Sequence, residues 1–325
     1  GSSPLSPTKQ KAREVSLAFC AIYRYYFYMN FETSHQEQFS NNEILPEVKR
    51  GFSDAWADLV VDTEVPENVE DFTEKELKAW LFNSAMEGIE EFVQTEGISA
   101  DESLLEQIQQ EEDFDRKSEL ELQYISSLQA SIAEYFEDVR ERSQRTKWNS
   151  WPKLMKETRS FNCAGAALIG MHYLEKAGIK SHVGFPIHHV VNVTELSNGE
   201  FFYTDLASPD SVRKIQPEVT EVEGTQVYSF EEEGIHYQKM PVFENEMIVG
   251  TIIGNLNSIK KHAFDEDDSE NTARAKAYYT AHQEHLEKVA FNEIDDELYG
   301  EFFVFEKTGE MDEERERIKD LFQIY

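Results

Sequence analysis

The chain has 325 residues, 40% of them hydrophobic and 12% aromatic, which supplies a substantial core and argues against wholesale disorder. Asp and Glu number 64 against 31 Lys and Arg, a formal net charge of -33, so phosphate backbones and anionic lipid are repelled, and the acidity serves either high solubility or the binding of a basic protein or peptide. No run reaches the roughly 18 to 20 apolar residues of a membrane span, and two cysteines, Cys20 and Cys163, are too few for a disulfide framework, which points to a reducing, cytoplasmic setting.

Residues 1–146 read as a helical region, sparse in glycine and proline. Val15 to Phe31, interrupted by Arg24, reads as an apolar, tyrosine-rich helix in which Cys20 is expected to be a small buried side chain. Phe52, Trp56, Leu59 and Val60 recur at helical spacing. Thr73-x-x-Glu76 is a capping-box signature before an apolar face of Leu77, Leu81, Ile89, Phe92 and Val93. Ser118-x-x-Glu121 reads as a second capping box, followed by the stripe Ile125, Leu128, Ile132, Tyr135, Phe136 and Val139. Ala79 to Asp115 holds no Lys or Arg, so this region presents an anionic outer face.

Residues 147–247 change character. Ser160-Phe161-Asn162-Cys163-Ala164-Gly165-Ala166-Ala167-Leu168 turns a loop into a helix, which stops at Ala177-Gly178. Strands are expected at Ser181 to Phe185, His189 to Glu195 and Glu200 to Leu206, with a hairpin from Gln226 to Met240. Residues 248–325 turn helical again. The firmest helices there are Asn271 to Phe291 and Glu313 to Tyr325, with Asp265-Glu266-Asp267-Asp268 as an exposed loop. The fold class expected is α+β: a Cys-bearing helix packed on an antiparallel sheet, between a large N-terminal helical region and C-terminal helices.

Cys163 at a helix start, a histidine leading one strand and an aspartate ending the next carry the chemistry. An ordinary thiol, with a pKa near 8.5, is only a few per cent thiolate at neutral pH. The positive end of a helix dipole favours the thiolate, and the backbone N–H of a helix-start cysteine can donate to a developing oxyanion. His188 and His189 compete for the role of base, since neighbouring strand residues face opposite sides. His189 is favoured because it leads directly into the apolar strand and leaves a balanced hairpin to Asp205. Asp205 is costly to bury unless paired, and orienting a histidine is one such pairing. Small residues after Cys163 let its helix approach a sheet closely. His172 reads as structural and His182 as exposed. A zinc site is disfavoured by the lack of Cys-x-x-Cys spacing, and no phosphate-binding or dinucleotide motif calls for a cofactor.

Arg159 to Ala167, Gly178-Ile179-Lys180, His189-Val190-Val191-Asn192-Val193 and Gly199 to Ala207 together resemble the transglutaminase-like superfamily, within the wider papain-like fold. The resemblance implies a papain/transglutaminase-like core with Cys163 as nucleophile, His189 as general base and Asp205 as its orienting residue. It further implies an upstream side chain completing the oxyanion hole, for which Trp151 is the better-placed tryptophan. The activity implied is hydrolysis or transfer of the acyl group of an amide through a Cys thioester. The alternative is a catalytically silent module of the same fold that binds proteins.

Overall fold

The computed structural model describes residues 44–139, 148–186, 189–208, 212–222, 225–230, 239–264 and 270–289. The apolar helix expected at Val15 to Phe31 with Cys20, the acidic loop at Asp265 to Asp268 and the helix expected at Glu313 to Tyr325 lie outside them, as does His188.

Among the described residues, five helices precede the cysteine. They are α1 (Pro46–Trp56, continued by a π turn Ala57–Val61), α2 (Glu74–Glu96), α3 (Glu102–Gln110), α4 (Phe114–Val139) and α5 (Pro152–Thr158). The capping box expected at the start of α2 is present: Thr73 N donates to Glu76 Oε2 at 2.8 Å and Glu76 N to Thr73 Oγ1 at 3.2 Å. The helix buries Leu77, Leu81, Ile89, Phe92 and Val93, the face expected of it. It ends at Gly97, whose φ of 73° suits a residue without Cβ.

The second capping box is not one. Helix α4 begins a turn earlier than Ser118, with Arg116 N donating to Asp113 Oδ1 at 2.8 Å. Ser118 and Glu121 are instead buried, and both are spent on a distant β turn. Local spacing cannot distinguish a cap from a buried pair with long-range partners.

Helix α6 (Cys163–Lys176) follows a short loop. The Asn162 side chain caps it, accepting from Gly165 N at 3.1 Å, an arrangement worth about 1 kcal/mol. Its apolar residues Leu168, Ile169, Met171 and Leu174 are at most 1% exposed, and full burial of each contributes about 1.5–3 kcal/mol.

The strands β1 (Lys180–Gly184), β2 (Val191–Glu195), β3 (Phe201–Thr204), β4 (Val212–Ile215), β5 (Glu218–Val222), β6 (Thr225–Ser229) and β7 (Lys239–Phe243) form one antiparallel sheet in the order β4-β3-β2-β1-β7-β6-β5. The expected hairpin to Met240 corresponds to the β6–β7 pairing, in register Gln226↔Val242 to Ser229↔Lys239. Strands β4 and β5 were not foreseen. Alternation along β2 divides the faces: Val191 and Val193 join a cluster with Tyr203, Ile215, Tyr228 and Met240, while α6 packs on β1 and β2 from the other side. The fold is thus a mixed helix-and-sheet, α+β architecture.

Helices α7 (Ile248–His262) and α8 (Glu270–Val289) follow the sheet. The described residues, all from Ile44 onward, belong to one compact unit. Phe92 and Tyr135 lie in one apolar cluster with Phe161, Leu168 and Ile252. Trp148 Nε1 donates to Ser258 Oγ (3.2 Å), and Asn255 Nδ2 to Ser150 Oγ (2.7 Å). None of the described helices is long and apolar enough to cross a membrane.

Candidate active site

Cys163 is the first residue of α6 and is half-buried. Its backbone N–H is one of the four that an α-helix leaves without an internal partner, at the positive end of the helix dipole. The loop leading to it is fixed from several sides. Asn162 N donates to the Asn149 carbonyl at 2.8 Å, and Asn149 Nδ2 donates to Thr158 Oγ1 at 3.0 Å. Arg159 adopts a left-handed conformation (φ 49°) and its guanidinium donates twice to Glu96 Oε2, at 3.1 and 2.7 Å. Phe161 stacks on Tyr135, with ring centroids 5.9 Å apart.

His189 and Asp205 come from the two arms of the β2–β3 hairpin. Neither lies within a strand, as the residue pattern suggested; each sits just beyond the end of one. The ladder's last pair is Asn192↔Thr204, so Asp205 follows β3 directly and His189 precedes β2 at the same end of the hairpin. The strict alternation of a strand therefore does not govern the His189 side chain. His189 N donates to the Pro186 carbonyl at 2.9 Å.

His189 Nε2 and Asp205 Oδ2 are 2.8 Å apart. Asp205 is 6% exposed, and its other oxygen, Oδ1, accepts from Ala207 N at 3.0 Å. Cys163 lies near enough to the His189 ring to favour its charged form. With Nε2 engaged by Asp205, Nδ1 is the nitrogen left for the sulfur. The structure thus brings Cys163, His189 and Asp205 together, although they are far apart in sequence.

The electrostatics follow from this arrangement. Burial is the largest influence on the His189 ring and opposes its charge, but the hydrogen bond to Asp205, the hydrogen bond and charge of Cys163 and the charge of Asp205 together outweigh it. The imidazolium is pushed up to about 10 from the ordinary 6.5.

The remaining residues singled out from the sequence fall elsewhere. Trp151 is fully buried at the cap of α5, its indole edge-on to Tyr278 of α8 with centroids 6.2 Å apart. It packs α5 against α8, and this placement lends no support to the oxyanion role foreseen for it. His172 packs on Tyr173, and burial pushes its pKa down, in keeping with a structural residue. The His182 side chain is only 16% exposed, 3.8 Å from Glu244, rather than on the open surface. A depression of about 360 Å³ lined by Glu200, Phe201, Lys214 and Pro217 lies at the far end of β3 from Asp205 and includes none of the three central residues.

Sequence reasoning missed the supports: Asn149, Arg159 with Glu96, and the buried polar residues under the hairpin. Asn192 Nδ2 donates to the Ala167 carbonyl of α6 at 3.2 Å, and Thr194 and Thr204 share a hydrogen bond at 3.1 Å. Polar side chains amid apolar strand residues were the available signal. The chain matches none of the protein-family models, curated proteins or solved structures with which it was compared.

Proposed function

We propose that the protein is a cysteine enzyme of the transglutaminase-like kind, acting on the amide of a protein or peptide through a thioester. The observation that carries this reading is the single imidazole of His189, bonded at Nε2 to a buried Asp205 and near enough to Cys163, at the head of a helix, for the two to influence each other's charge. Cys–His–Asp in this order of contact is what nucleophilic acyl transfer needs. A papain/transglutaminase-like core is part of the same proposal.

In the first half-reaction the sulfur, as thiolate paired with the imidazolium, adds to the amide carbon. The carbonyl oxygen becomes an oxyanion within reach of the outward-pointing N–H of the helix start. The C–N bond then breaks, and the amine leaves with the proton His189 gives up, which yields the thioester. In the second half, neutral His189 takes a proton from water or an amine as that acceptor attacks the thioester carbon. The C–S bond breaks and the thiolate–imidazolium pair is restored. Asp205 holds the ring in place and stabilises its charge throughout.

The net charge of -33 favours a substrate with basic residues around the scissile amide. The test is to incubate the full chain with basic peptide esters and search for an acyl group on Cys163 by mass spectrometry. A covalent adduct that Cys163→Ser or hydroxylamine treatment removes is expected. Absence of any adduct, with Cys163 intact and accessible to small alkylating agents, contradicts the proposal and favours a silent protein-binding module.

A further inference from the structure

One face of α4 touches both arms of the site. Eleven residues, about three turns, separate Ser118 from Gln129, so they share a stripe with Glu121. Ser118 Oγ accepts from Asn198 N at 2.9 Å. Glu121, 1% exposed, accepts from Ser197 N at 2.8 Å and from Ser197 Oγ at 2.5 Å. These bonds hold the turn between β2 and β3. Further along, Gln129 Nε2 donates to the Ser208 carbonyl at 3.0 Å, beyond the other end of β3. Tyr135 and Phe136, on the last turns of α4, pack on Phe161, two residues before Cys163, with centroids 5.9 and 4.6 Å away.

The contact at Ser208 bears on the chemistry most directly. Ala207 N donates to Asp205 Oδ1 (3.0 Å) and Ser208 N to the Asp205 carbonyl (3.4 Å), so residues 205–208 form a tight turn. That turn takes up one carboxylate oxygen and leaves Oδ2 directed at His189. Where Ser208 sits decides whether the turn keeps this geometry.

We propose that Gln129 is a positioning residue for the Asp205–His189 pair: by gripping the Ser208 carbonyl it fixes the turn from which Asp205 reaches the ring. The assignment rests on the reading of Cys163, His189 and Asp205 as a catalytic set. It gives the N-terminal helical region a part in the site that its sequence did not disclose. Because the group gripped is a carbonyl, the side chain at 129 must be a hydrogen-bond donor. Methionine matches its length and helix preference without a donor, whereas lysine supplies one.

The experiment is an NMR titration of the His189 ring in the full chain, compared among wild type, Gln129→Met, Gln129→Ala and Gln129→Lys, with far-UV circular dichroism to verify folding. Wild type is expected to titrate well above 6.5, toward about 10. The Met and Ala variants, folded, are expected to titrate lower by about one pH unit or more, as the ring loses a well-placed carboxylate. Gln129→Lys is expected above both; its own charge acts in the opposite direction, so any recovery reports the donor. Folded Met and Ala variants that titrate like wild type overturn the positioning role, as does a Lys variant no higher than Met. A wild-type ring titrating near 6.5 instead overturns the catalytic reading on which the assignment rests.

Discussion

Asn192 of β2 occupies the space that any side chain at Gly170 of α6 would need: a Cβ built there would lie 2.2 Å from Asn192 Oδ1. The same Asn192 donates from Nδ2 to the Ala167 carbonyl, so helix and hairpin are locked at short range. This contact sets the separation between the element carrying Cys163 and the arms carrying His189 and Asp205.

Gly170→Ala is therefore expected to destabilise the protein by about 1–3 kcal/mol, the usual cost of overpacking a tight core. Thermal unfolding measures it. Replacing Asn192 by Ser in the same chain should recover part of the loss, because neighbours in contact do not add independently. Equal melting temperatures for wild type and Gly170→Ala contradict the packing described.

Asp205→Asn removes the charge facing His189 while keeping much of the shape. The ring's raised pKa then falls from about 10 toward 6.5, since the hydrogen bond to the carboxylate is the largest influence raising it. The sign for stability follows. A raised folded pKa contributes stability that is full below 6.5 and disappears as pH rises through about 10. Wild type should thus lose stability relative to Asp205→Asn as pH is raised across that window, by denaturant unfolding at several pH values. The alkaline limb of any acyl-transfer activity should move down with it. A stability difference that does not change with pH contradicts this.

Glu121→Gln tests the buried carboxylate that holds the hairpin turn. Glu121 accepts two hydrogen bonds from Ser197, one at each oxygen, and an amide offers a single acceptor oxygen. A buried donor left without a partner costs about 1–3 kcal/mol, so a drop of that size in urea unfolding is expected. Glu121→Gln equal to wild type would mean that the turn is held by other contacts.

Ser118 and Glu121 also illustrate where residue patterns stop being informative. Cys163, His189 and Asp205 could be picked out because local signals surround each: Asn162 and the small residues of α6, an apolar strand after His189, and the Ser197-Asn198-Gly199 turn between the arms. Thr73 and Glu76 were legible for the same reason, as both partners of a capping box lie within one turn. Ser118 and Glu121 have the same spacing, yet their partners lie in the 197–198 turn, a relation visible only once the chain is folded. Strand β4, Val-Arg-Lys-Ile, was missed because an edge strand bearing two charges lacks a clean alternation, and Val212 and Arg213 are only half-buried. The ends of β2 and β3 were placed too far out, over His189 and Asp205, because the apolar pattern does not record where ladder hydrogen bonds stop. Trp151 lies near Cys163 in sequence, but its ring partner Tyr278 lies more than a hundred residues away.

Removing the base should abolish most chemistry: His189→Ala is expected to lower acyl transfer on the order of 10²–10⁴-fold, the usual contribution of a positioned general acid–base. The most direct measurement needs no substrate. The 325-residue chain is treated with iodoacetamide across a pH series, and alkylation of Cys163 is followed separately from Cys20 by peptide mass spectrometry. With His189 as its ion-pair partner, Cys163 should react rapidly at about pH 6, where a free thiol is almost wholly protonated, and His189→Ala should eliminate that reactivity. Reaction only near pH 8.5, unchanged by His189→Ala, would contradict the account.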